Sequence, residues 1–166
     1  MDATKLREIQ EPLKAKYRED PESALITLKA KGRAGEGITC KVETGRAIAQ
    51  AGLHPATGGD GMSLCSGDML LEALVACAGV TLKAVATSIG FDLQGAEIEV
   101  EGDLDFRGTL SVDKTAPVGF RTIRLHFHLQ TNETSDKIAN LIKLTERFCV
   151  VYQTLVKSNS VQVDVS

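Results

Sequence analysis

Residues 66–89 constrain this chain more than any other stretch. Leu70, Leu71, Leu74, Val75, Ala78, Leu82, Val85, Ala86 and Ile89 cover most of a helix circumference, and between Leu70 and Ile89 the charges are Glu72 and Lys83. A helix that is apolar nearly all round has to be buried on nearly all sides. Ser66 or Asp68 can cap its start, and Gly90 stands where a left-handed residue ends helices. The most apolar part, residues 69–82, carries Glu72 and is too short to cross a bilayer, so it reads as a core helix. One thin sheet cannot cover such a helix, and a second copy of the chain is expected to cover the rest.

The flanking segments read as strands and helices in α+β order. Residues 1–22 form a charged helical extension, with Pro12 expected to interrupt and restart it. The domain proper is expected over residues 23–166. Residues 24–30 and 38–43 read as a hairpin around a glycine-rich turn at 31–37, and residues 47–50 as a short strand. Residues 54–67, with Pro55, Gly58, Gly59 and Gly61, form a long loop of the kind that often carries function. Residues 97–106 and 120–131 alternate as strands. A helix spans about 134–157, and residues 161–165 close the chain as a strand. Together these predict antiparallel sheets.

Composition narrows the function classes. Hydrophobic residues make up 43 % but aromatics only 4 %, so Leu, Ile, Val and Ala must build the core. A net charge of −3 gives no basic field for nucleic acid. The first 22 residues are charged throughout, without the apolar run of a secretory signal, which points to the cytoplasm and away from a membrane.

Chemistry then rests on thiols. Cys40, Cys65, Cys77 and Cys149 show no C-x-x-C or zinc-type spacing, and cytosolic cysteines rarely form structural disulfides. They are either inert core thiols or reactive ones. Cys77 lies mid-helix beside Ala76, Ala78 and Gly79, small residues that leave room for a substrate; Cys149 follows Glu146-Arg147-Phe148. A reactive thiol needs a positive partner, and Cys77 has none facing it on its own helix, so Arg33 or Arg46 must supply it. Arg33 is placed in the glycine-rich turn, from which it can reach over a site. Asp68 and Glu72 are candidate acidic partners, although Asp68 can serve as a cap and Glu72 lies round the helix from Cys77. Cys65 precedes the helix on a loop, and Cys40 falls on the core phase of its strand. His126 and His128 share one strand face with Arg124, which reads as solvated sheet surface rather than a metal site.

The segments Met69-Leu70-Leu71-Glu72-Ala73-Leu74-Val75-Ala76-Cys77-Ala78-Gly79, Glu97-Ile98-Glu99-Val100-Glu101-Gly102 and Glu146-Arg147-Phe148-Cys149-Val150-Val151-Tyr152-Gln153-Thr154-Leu155 resemble the OsmC/Ohr family over about residues 24–166. The resemblance implies an intertwined homodimer with two central helices at its core, wrapped by antiparallel sheets. It implies a peroxidase acting on organic hydroperoxides, with Cys77 as peroxidatic and Cys149 as resolving cysteine and Arg33 holding the thiolate. It also implies no bound cofactor, only an external dithiol reductant. The chain has Ser66-Gly67 where the Ohr branch has Pro-Glu, and Val150 where the family often has Pro; Asp68 fits the OsmC branch better. A non-enzymatic stress protein that binds an apolar ligand at the dimer interface is the alternative.

Overall fold

The computed structural model describes residues 3–34, 40–42, 52–62 and 64–165. The expected strand at 47–50, residues 35–37 of the expected turn and residues 38, 39 and 43 of the expected returning strand lie outside them. The order is α1 (Ala3–Glu19), β1 (Leu25–Ala34), β2 (Cys40–Val42), α2 (Ser66–Ile89), β3 (Gly95–Asp105), α3 (Phe106–Thr109), β4 (Thr122–Gln130), α4 (Ser135–Phe148) and α5 (Val150–Val156). The class is α+β with an antiparallel sheet, as expected. The four strands run in the order β2-β1-β3-β4, with β1 and β2 antiparallel in the register Gly32↔Val42, Arg33↔Lys41, Ala34↔Cys40.

Helix α2 forms where its apolar pattern places it. It ends at Gly90, whose φ of 65° is a left-handed cap. The Phe91 amide donates to the Ala86 carbonyl and the Gly90 amide to that of Thr87, which satisfies two end carbonyls. At its start the Cys65 carbonyl accepts from the Met69 amide. Leu71, Leu74, Val75, Ala78 and Leu82 are buried, whereas Met69, Leu70, Val80 and Ile89 on other sides are exposed. The helix is longer than the 69–82 stretch alone. By length and composition its 24 residues suffice to cross a membrane, while one face packs inside the protein.

The described chain divides into two compact units, and α2, β1, β3 and β4 each run from one into the other. Unit one comprises residues 1–30, 43–72 and 99–126. Here α1 runs unbroken through Pro12, contrary to the expected restart. Proline costs one rung and some bending, and the helix is tied down on both sides of it: Tyr17 donates to the Ala56 carbonyl at 2.7 Å and Gln10 to that of Thr57 at 3.2 Å. Gly58, with φ of 94°, lies against Ile9, where a Cβ would collide. Gly102 is required on β3 because a side chain there would run into the Phe120 ring. Arg124 binds Asp103 at 2.5 and 2.9 Å and Glu101 at 3.2 Å, and Thr27 also donates to Asp103, so Asp103 is held down to about 2.

Unit two comprises residues 31–42, 73–98 and 127–166. Three expectations fail here. The segment 31–34 belongs to β1 rather than to a turn, because ladder pairing with β2 overrides the local preference of Gly32. The single helix over 134–157 is two helices, broken at Cys149. Residues 161–165 form no strand: Val161, Val163 and Val165 are 83–96 % exposed, and alternation alone makes no strand without an edge to pair with.

Candidate functional site: two thiols at a helix break

The break at Cys149 builds the site. Cys149 takes φ −72° and ψ 109°, an extended residue between two helices, and its sulfur accepts from the Tyr152 amide at 3.5 Å as the N-cap of α5. In an unbroken helix the Val150 amide would bond to the Glu146 carbonyl. Instead the Gln153 side chain donates to that carbonyl at 2.8 Å. The Val150 and Val151 amides, released from that ladder, act on Cys77 and lower its thiol.

Cys77 is half-buried and Cys149 fully buried, both unbridged. Burial pushes the Cys77 thiol up, but the Val151 amide, the Cys149 thiol, the Thr81 hydroxyl at 4.0 Å and the Val150 amide together bring it below its ordinary value. Cys149 moves the opposite way: burial raises it and the neighbouring Cys77 raises it further, over a smaller lowering by the Tyr152 and Val151 amides. The pair therefore ionises first at Cys77, with Cys149 keeping its proton and donating it. This is the division of labour an attacking thiolate and a waiting thiol need.

Arg33 stands on β1 rather than in a turn, with its side chain 70 % exposed and its Nη2 3.9 Å from Glu97 Oε1. It lines a cleft of about 460 Å³ with Glu97, His128 and Gln130. The groups that favour the Cys77 thiolate are amides, a thiol and a hydroxyl rather than this guanidinium. Asp68 and Glu72 belong to unit one. Burial raises the Asp68 carboxyl, which His54 partly offsets; burial also raises Glu72, and Asp68 adds to it. Cys65 is half-buried and, with His54, Leu70 and Phe106, lines a largely apolar cavity of about 380 Å³ in unit one. The Cys40 side chain and Arg46 lie outside what is described. His126 and His128 are on the exposed side of β4, as the alternation predicts.

Sequence reading missed Thr81, Gln153 and the amides of Val150 and Val151. Thr81 was within reach, since it stands four residues after Cys77 on one helix face. The break was not, because neither Gly nor Pro marks it.

A thiol in a long apolar helix, electrostatically coupled to a second thiol at a helix junction, defines an α+β protein with a two-cysteine site. The profile of the family described as OsmC-like protein matches residues 58–166, and the chain belongs to that family. The fold is similar to that of an OsmC-like hydroperoxide resistance protein from Jannaschia sp. CCS1, with a TM-score of 0.63 at 14 % identity, over 86 % of this chain and 94 % of that one. No curated protein matches the chain in sequence.

Proposed function

We propose that this protein is a cysteine-based peroxidase that reduces organic hydroperoxides, and hydrogen peroxide as well, in defence against oxidative stress. The observation that carries the reading is the hydrogen-bonded pair Cys77 and Cys149, with only Cys77 favoured as thiolate. The Cys77 thiolate attacks the distal peroxide oxygen. The O–O bond breaks, the alkoxide leaves and takes a proton as alcohol, and a sulfenic acid remains on Cys77. Cys149 then attacks that sulfur, expelling water and closing a disulfide. An external dithiol restores both thiols by exchange. Arg33 has the role of binding or steering substrate from its cleft, and Asp68 and Glu72 a supporting one.

The reading also takes in a homodimer in the cytoplasm. The exposed apolar residues Met69, Leu70 and Val80 on α2 favour a second copy packed there. The test is hydroperoxide consumption with a dithiol reductant. Cys77→Ser should abolish turnover and Cys149→Ser should stop it after one event; unchanged turnover by the Cys77 variant would sink the proposal. The second reading, a stress protein that binds an apolar ligand, is favoured by the apolar cavity beside Cys65. It predicts slow, scattered oxidation in place of a rapid Cys77–Cys149 disulfide.

A further inference from the structure

The chain breaks between α4 and α5 at Cys149, which frees the Val150 and Val151 amides that lower the Cys77 thiol, and something has to keep the helix interrupted. A continuous α4–α5 would gain the missing rungs, and residues 146–156 contain neither Gly nor Pro to prevent it. The carbonyl of Glu146 is the acceptor that the Val150 amide would take in such a helix. It is already occupied by Gln153 Nε2 at 2.8 Å. The backbone bonds on either side of the break are regular: the Cys149 amide donates to Thr145 and the Gln153 amide to Cys149. Val150 is the position where a side-chain donor replaces a main-chain one. Gln153 does this from the first turn of α5, the same turn whose amides turn to Cys77.

We propose that Gln153 is a positioning residue: its side-chain amide substitutes for the Val150 N–H on the Glu146 carbonyl and so holds open the helix break that aims the Val150 and Val151 amides at Cys77. This deepens the two-thiol reading of the site but does not rest on the peroxide chemistry. Among the described residues, the titratable group facing Cys77 is Cys149. Thr81 is the remaining side-chain partner. The Gln153 side chain touches neither, and Gln153→Leu brings in no charge, so the effect of that variant on Cys77 comes through the break and its amides.

The experiment measures alkylation of Cys77 by iodoacetamide in the reduced full-length protein from pH 5 to 10, with peptide mass spectrometry separating the four cysteines. Gln153→Leu removes the donor, and Gln153→Glu keeps the shape but offers the carbonyl a carboxylate. Both should move the Cys77 profile to higher pH and slow alkylation at neutral pH on the order of tenfold, the scale of one lost hydrogen bond to a charged group. The limiting rate at high pH should be unchanged, which general damage to the site would not leave intact. Gln153→Lys returns a donor and should restore most of the wild-type profile, and the order of the variants should persist in about 1 M salt, which screens the charges they bring in. An unmoved profile in folded Gln153→Glu, or a Lys variant no better than the Leu one, overturns the proposal. If Gln153→Leu fails to fold, the Glu and Lys variants carry the comparison. Absence of peroxide turnover in the wild type would refute the peroxidase and leave this result standing.

Discussion

Oxidation of the thiol pair should make the protein markedly more heat-stable. One equivalent of cumene hydroperoxide added to the reduced protein converts two thiols into a disulfide, giving one alcohol and one water. The Cys77–Cys149 bond closes a loop of about 70 residues. Chain-entropy arithmetic puts the loss of unfolded-state freedom for such a loop at about 4 kcal/mol near room temperature. In the folded state the two thiols are already close enough to shift each other's ionisation, so little rearrangement should offset that gain. For a chain of this size, 4 kcal/mol corresponds to a rise in Tm of about 10 °C. Calorimetry of reduced and oxidised samples reads it directly, with Cys65→Ser as background to suppress mispairing. Cys149→Ser should show no rise, and dithiothreitol should reverse the rise in the parent. An oxidised protein that melts at or below the reduced one would refute the reasoning, because it would mean that the bond forms elsewhere or strains the helix break.

Other outcomes follow from the same geometry. Cys77 should be alkylated at a lower pH than a free thiol. Cys149 should resist alkylation until well into alkaline solution, because its thiol is pushed up to about 11; equal profiles for the two would contradict the assigned order of ionisation. The depressed Asp103 carboxyl stabilises the fold above its ordinary range near 4, and that contribution disappears as pH falls through about 2. Asp103→Asn should therefore melt lower than the parent at neutral pH and converge with it in strong acid. Gly102→Val drives a side chain into the Phe120 ring and should cost about 1–3 kcal/mol in urea denaturation.

Much of the fold was readable because it rests on periodicity. The run from Leu70 to Ile89 is too apolar for anything but a long helix, and the alternation of Ile98, Val100 and Leu104 appears as burial on β3. Where the reading failed, tertiary partners outweighed local preference. Gly32 reads as turn chemistry, but β2 supplies hydrogen bonds that keep it in a strand and carry Arg33 with it. Pro12 reads as a breaker, but docking through Tyr17 and Gln10 holds one helix across it. The two cysteines were legible as candidates, and their motifs singled them out. Their surroundings were not, since an amide released by a helix break leaves no mark in side-chain chemistry.

The docking of α1 bears on how the protein can be cut. The family profile begins at residue 58, so a chain trimmed to that span looks like a natural unit. It would lose the helix against which Gly58 is fitted, together with His54, which stacks on Phe106 at 5.0 Å. The cut would remove one wall of the apolar cavity and bare the ring of Phe106. The residues ahead of the family profile are, by their contacts, part of the packing of unit one.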